Sequence, residues 1–91
     1  MSALNLPETL LFSHADACLA QCMGQLATQN GVHVEVNASA LVEFDSSALA
    51  VLLGLRRAIL SLGRDYRVIG MSARLRELAS LYGVLDLLER T

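Results

Sequence analysis

The most informative stretch of the chain covers residues 44–62 and reads FDSSALAVLLGLRRAILSL. An advance of 100° per residue gathers most of its apolar side chains on one stripe, which is typical of an amphipathic helix packed on a core. The residues of this stripe are Ala48, Val51, Leu52, Leu55, Ile59 and Leu62. Asp45 is a favoured residue for a helix start, and Gly63 follows the last turn. The stretch therefore predicts a helix that begins after Asp45 and ends near Leu62.

The side of this helix that faces away from the core lacks the usual excess of charged residues. It holds leucines, a column of small residues and two arginines at the rim, namely Leu49, Leu53, Leu60, Ala50, Gly54, Arg56 and Arg57. Two interpretations are open. The leucines either pack on a neighbouring helix of the same domain or form a docking face for another protein. Each leucine would contribute roughly 1.5–3 kcal/mol if a partner covered it fully.

The start of the same helix carries two hydroxyl side chains. Ser46 and Ser47 follow Asp45 in the first turn, where backbone N–H groups have no partner within the helix. A hydroxyl at this place can donate to a partner protein, or it can accept a phosphate that the helix N-terminus would stabilise. Alternatively, the Asp-Ser-Ser sequence only begins the helix.

Outward from this helix, strand and helix patterns alternate along the chain. Strands are predicted at residues 3–6, 32–37 and 66–69, the second from the period-2 pattern of three valines. Further helices are predicted from a Ser13 N-cap to about Gln29 and from a Ser72 N-cap to residue 82, with loops at 8–12 and 38–44 and an apolar piece at 84–88. The order predicts one α/β domain over residues 1–91, a small mixed or parallel sheet with about three helices mainly on one face. The expected core residues include Val32, Val34, Val36, Leu52, Leu55, Ile59, Val68, Leu75 and Leu78.

Composition excludes several classes of function. Of the 91 residues, 54% are hydrophobic and 18% are charged, below the roughly 25% charged residues of average domains, so the chain is not intrinsically disordered. A net charge of -2 offers no basic field for nucleic acid. All seven cations are Arg, so neither a catalytic lysine nor a phosphate-binding loop of the GxxxxGK type exists.

The chemistry-bearing residues form no recognisable active site. Cys18 and Cys22 lie four residues apart in a helical pattern and are expected to be small buried side chains, while His14 and His33 lack a metal-ligand spacing. No metal, no cofactor and no enzymatic activity are expected. The longest apolar run has eight residues, 48–55, against the roughly 20 that a bilayer span needs, and no secretory signal is recognised. A cytoplasmic location follows as the expectation, with an exposed apolar patch or a homodimer for the isolated protein.

Four stretches carry a resemblance to a known family. The stretch 44–49, FDSSAL, resembles the signature of STAS domains, in which an Asp-Ser-Ser/Thr-Gly-Leu turn opens a helix after a strand. Leu6-Pro7, the stretch 34–39 and the stretch 78–84, LASLYGV, are similar to the MlaB branch of that family. The resemblance covers essentially the whole chain. Ala48 stands where the signature usually has Gly, and one strand, rather than the hairpin of anti-sigma factor antagonists, precedes the first helix.

The resemblance implies a non-catalytic subunit of the Mla phospholipid ABC transporter, which maintains outer-membrane lipid asymmetry. Its partner would be the ATPase subunit (MlaF-like), and the protein would be cytoplasmic and peripheral to the inner membrane through the complex. The implied partner-binding residues are Asp45, Ser46, Ser47, Leu49, Ala50, Leu53, Gly54, Arg56 and Arg57, with Ser46 ranked first for docking. The alternative is an anti-sigma factor antagonist, in which the phosphorylated residue maps to Ser47. The short amino terminus and the stretch 81–83 favour the transporter.

Overall fold

The computed structural model describes residues 2–89. Three strands form a parallel sheet in the order β1-β3-β5: β1 is Ser2–Asn5, β3 is His33–Asn37 and β5 is Asp65–Ile69. A second, two-stranded parallel sheet pairs β2, Thr9–Leu10, with β4, Glu43–Phe44. The predicted strands are confirmed, with β1 at an edge. The short second sheet replaces parts of the predicted loops at 8–12 and 38–44.

Four helices complete the described chain: α1 is Phe12–Ala27, α2 is Ser47–Ser61, α3 is Ala73–Leu81 and α4 is Leu85–Glu89. The alternation of strands and helices and the α/β class are as predicted. Helix α4 is the form taken by the apolar piece near the carboxyl end. Contacts of α1 with β1 and β2, and of α2 and α4 with β5, place the helices against the strands.

One face of the larger sheet is buried and the other is not. Leu4 pairs with Val36, which pairs with Val68, and this cross-strand row belongs to or packs on the hydrophobic core. The neighbouring row of Ala3, Glu35 and Arg67 is exposed or half-buried on the opposite face. Because strand side chains alternate between faces, the helices cover a single face of this sheet, as predicted.

Most of the predicted core is buried. Side chains of the core set with at most 1% exposure are Val34, Val36, Leu52, Leu55, Ile59 and Leu75, and Val68 and Leu78 are partly buried against them. The prediction for Val32 is wrong, since it is 62% exposed. Leu62 of the predicted helix stripe is 58% exposed for the same reason. Both residues lie beyond the ends of the elements that bury their neighbours, because β3 begins at residue 33 and α2 ends at residue 61.

The helix starts differ in how well sequence chemistry located them. Ser72 caps α3 as predicted, since its Oγ accepts a hydrogen bond of 3.1 Å from the Leu75 amide. The predicted Ser13 cap of α1 is wrong. That helix begins at Phe12, and the amide of Leu11 donates to His14 Nδ1 at 3.2 Å. Tertiary contacts, described next, fix this start one residue earlier than the local pattern indicates.

Candidate functional site

The starts of α1 and α2 are joined by the carboxylate of Asp45. Its Oδ1 accepts a hydrogen bond of 2.8 Å from the Ser47 amide, and its Oδ2 accepts one of 3.1 Å from the Phe12 amide. The short sheet explains this proximity. Leu10 and Phe44 are paired in the parallel strands β2 and β4, so the chain leaves both strands at the same edge and enters the two helices side by side.

Hydrogen bonding keeps Asp45 ionised. The Ser47 amide is the largest cause that lowers the pKa of Asp45, and the Phe12 amide and the Ser47 hydroxyl act in the same direction. A carboxylate at a helix start also interacts favourably with the positive end of the helix dipole. Asp45 therefore caps α2, as predicted from its residue type, and it also supports α1, which the sequence pattern does not reveal.

The two serines occupy different environments. Ser46 is exposed, has φ −62° and ψ −17°, and makes no side-chain capping bond. Ser47 is half-buried, and its hydroxyl lies at the Asp45 carboxylate. The Ser46 hydroxyl is therefore the more available of the two for a partner.

Arg74 brings a cation next to this turn. Its guanidinium carbon lies 4.7 Å from the centroid of the Phe44 ring, a cation–π distance, and Phe44 directly precedes Asp45. Sequence reasoning missed both Arg74 and Phe12 as neighbours of the Asp-Ser-Ser turn. No local signal identifies them, because each contact joins elements that are about 30 residues apart in the chain.

The outer side of α2 divides into a covered part and an exposed part. Leu49 is only 3% exposed, and a Cβ placed on Gly54 would lie 3.4 Å from Leu19 of α1. For these two residues, packing within the domain is the interpretation that holds. The remaining strip of Ser46, Ala50, Leu53 and Arg57, at spacings i, i+4, i+7 and i+11, faces outward; Leu53 is half-buried and the other three are exposed.

Two further predicted residues lie beside this strip. Arg56 is half-buried, and Leu60 is 44% exposed near the end of α2. Ala48, where the family signature usually has Gly, is fully buried within the helix, and no non-glycine residue of the described chain has positive φ. The Asp-Ser-Ser-Ala turn therefore forms without backbone strain.

The cysteines are buried, as predicted, and chemically quiet. Burial raises the pKa of Cys18, and burial together with the neighbouring Cys18 raises the pKa of Cys22 to about 11. Both thiols are protonated at neutral pH and are poor nucleophiles and metal ligands. Over residues 2–89, no three His, Cys, Asp or Glu side chains are grouped so that they could hold a metal ion. Within the same range, none of the helices has the length and apolar character that crossing a membrane requires.

Comparison with known families agrees with the geometry of this turn and of the sheet behind it. A family model described as "Mlab, STAS domain" matches residues 2–89, which includes every described strand and helix. No curated protein matches the chain. The matched range extends from β1 through the Asp45 turn to the end of α4, so the chain belongs to the family of MlaB-type STAS domains.

Proposed function

We propose that this protein is a non-catalytic, single-domain regulatory or assembly subunit that binds the cytoplasmic ATPase of a phospholipid-transporting ABC transporter. It would lie on the cytoplasmic side, peripheral to the inner membrane through that complex. Family membership supports a partner of this kind. The single observation that carries the proposal is the outward strip on α2 that begins with the exposed Ser46.

The strip has the properties of a contact surface. Ser46 and Ala50 are small and exposed, so the surface of a partner can approach the helix closely. Leu53 adds partly exposed apolar area, and Arg57 adds a charge at the far end. Asp45, Leu49 and Gly54 have a supporting role in this proposal, because they fix the helix from behind rather than face outward.

ATP hydrolysis would belong to the partner. The chain contains no lysine, and the phosphate-binding loop of such ATPases requires one. What this chain would contribute is a rigid surface, and its effect on the ATPase would come from preferring one state of that subunit over another.

A second candidate function rests on the environment of Ser47. Its hydroxyl lies at the ionised Asp45 carboxylate, so a phosphate on Ser47 would place two negative groups together. Repulsion would loosen the bonds that Asp45 accepts from the Phe12 and Ser47 amides. This is a physical route by which phosphorylation would alter the surface, as an anti-sigma factor antagonist requires.

Co-purification tests the transporter proposal. A tagged copy of this chain is co-expressed with the ATPase subunit of the transporter, as wild type, as Ser46→Arg and as the control Ser80→Arg, which changes an exposed serine on α3. An unpaired arginine buried at an interface costs about 2–5 kcal/mol, so Ser46→Arg should lose at least about tenfold in affinity. Both variants should melt within about 4 °C of wild type, because surface substitutions change stability by about 0.5 kcal/mol. Undiminished capture of a folded Ser46→Arg protein would contradict the proposal.

The antagonist alternative makes a different demand on Ser47. Ser47→Ala should then keep binding to a kinase-type anti-sigma partner but lose its regulation, and Ser47→Asp should imitate the phosphorylated, released state. In the transporter proposal, Ser47→Ala leaves capture of the ATPase unchanged. Capture of the ATPase by wild type, together with no incorporation of phosphate at Ser47 in the native cell, would exclude the antagonist role.

A further inference from the structure

The helices α1 and α2 run side by side in the same direction. Phe12 lies beside Ser47 at their starts, because one carboxylate binds both amides. Seven residues later in each helix, Leu19 of α1 lies against Gly54 of α2. The two helices therefore keep the same register over two turns, and the flank of α1 that carries Phe12 and Leu19 is the one that faces α2.

This register places further α1 residues next to the outward strip of α2. Asp16 and Met23 share the flank with Phe12 and Leu19, since the four residues follow the spacing i, i+4, i+7 and i+11. Leu19 is half-buried between the helices, whereas Asp16 is exposed and Met23 is 40% exposed. The exposed surface on α1 thus continues directly into the strip on α2.

Phe12 is the most exposed aromatic residue of this surface. It is 82% exposed, although the chain has only two phenylalanines and two tyrosines. Its backbone is fixed by the hydrogen bond to Asp45, so the ring is presented from a rigid position. Aromatic side chains that are held in this way and later buried in a pocket account for much of the binding energy of protein interfaces.

We infer that Phe12, Asp16 and Met23 of α1 form one docking surface with Ser46, Ala50 and Arg57 of α2, and that Phe12 is its anchor. The inference rests on the proposed function, and it extends the contact from one helix to two. The partner surface that fits is a folded protein with an apolar pocket for the Phe12 ring. A carboxylate facing Arg57 and a cation facing Asp16 would complement the two exposed charges.

A second copy of the chain fits this surface less well than a different protein. A shallow pocket with apolar lining from Leu26, Val32 and Leu62 lies at the opposite end of the two helices. Insertion of Phe12 into that pocket of another copy would join the molecules head to tail. Such contacts do not close into a dimer and lead to open chains. The ATPase subunit is therefore the occupant to which the inference commits.

The affinity of the purified chain for the purified ATPase subunit tests the inference by biolayer interferometry. Phe12→Ala is compared with Leu81→Ala, which removes a side chain of the same 82% exposure on α3. We expect Phe12→Ala to raise Kd at least about tenfold and Leu81→Ala to change it less than about twofold. Circular dichroism melts should show both variants folded, since neither side chain is buried.

The outcomes separate this inference from the proposed function. If Ser46→Arg loses binding while Phe12→Ala binds as wild type does, the α1 surface is wrong and the role of α2 stands. If wild type does not bind the ATPase subunit at all, the proposed function and the inference both fail. Light scattering after gel filtration covers the remaining occupant: a wild-type dimer that Phe12→Ala dissociates would assign the surface to a second copy and overturn the inference.

Discussion

The amide of Phe12 lies 3.1 Å from the carboxylate Oδ2 of Asp45, although the two residues are 33 positions apart in the chain. The other oxygen of the same carboxylate accepts the Ser47 amide at 2.8 Å. One side chain therefore satisfies unpaired N–H groups of two helices at once. It also sets the relative position of the two helix starts on which the proposed partner surface is built.

Replacement of Asp45 by Asn should lower stability in a pH-dependent way. The folded-state pKa of Asp45 is below its ordinary value, so its contribution to stability is present above the unfolded pKa of about 3.9 and is lost as pH falls through the folded pKa. The Tm difference between wild type and Asp45→Asn should thus be largest near neutral pH and shrink below about pH 4. Thermal melts at several pH values measure it.

Asp16→Asn is the matched control for that measurement. Asp16 is exposed on α1, and neither helix start depends on its carboxylate. Its replacement should leave the pH dependence of Tm close to that of wild type. A Tm difference for Asp45→Asn that is equally large at neutral and acid pH would contradict the capping role of the charge.

Leu49 should behave as a core residue rather than as a contact residue. It is 3% exposed, so Leu49→Ala should reduce the free energy of unfolding by about 2–5 kcal/mol, as for other buried leucines. Leu60 is 44% exposed, and Leu60→Ala should cost about 0.5 kcal/mol or less. Urea denaturation of the two variants checks the contrast. Equal losses would mean that the two leucines of the predicted stripe have the same environment.

These two leucines show where sequence periodicity stops being informative. The 100° pattern locates the core stripe of α2 correctly, because a single sheet face has to be covered by it. It does not say how far neighbouring elements reach around the sides of the helix. Leu49 and Gly54 are covered from the sides, whereas Leu62 falls beyond the end of the helix at residue 61 and is exposed. Side coverage depends on tertiary placement, which no local pattern contains.

The candidate site was predictable in its local part only. The residue types of Asp45, Ser46 and Ser47 indicate a helix start with accessible hydroxyls, and the structure has this arrangement. The contributions of Phe12 and Arg74 come from elements that the short sheet and the packing of α3 bring close. Two-residue strands such as β2 and β4 are too short for a period-2 pattern to be recognised.

Tyr66 should contribute to stability through its hydroxyl. Burial raises the pKa of Tyr66, so the phenol stays protonated, and it donates a hydrogen bond of 3.1 Å to the Leu52 carbonyl inside the domain. Tyr66→Phe should therefore lower the free energy of unfolding by about 0.5–1.5 kcal/mol, with α2 and β5 less firmly joined. Urea denaturation measures this loss. A neutral or stabilising effect would show that the bond adds nothing beyond the packing of the ring.

Gly70 should tolerate no side chain, and two other glycines provide graded controls. Gly70 has φ +74°, and a Cβ there would lie 2.8 Å from the Ser39 Cβ and 2.9 Å from the Ser39 backbone nitrogen. Gly63 has φ +72° with nothing within 4 Å, so Gly63→Ala isolates the backbone strain, roughly 1–2 kcal/mol. Gly24 lies in α1 with open space around it, so Gly24→Ala should stabilise the helix by up to about 1 kcal/mol.

The order of the three variants in Tm is the decisive observation. Gly70→Ala should melt lowest, because it adds a clash with backbone atoms to the strain that Gly63→Ala also carries. Since those atoms belong to the loop after β3, their displacement would disturb the Ala38 amide, which donates to the Ile69 carbonyl at 2.8 Å and connects that loop to β5. If Gly70→Ala and Gly63→Ala melt at the same temperature, the loop yields without cost and the close approach of Gly70 to Ser39 is not a packing requirement.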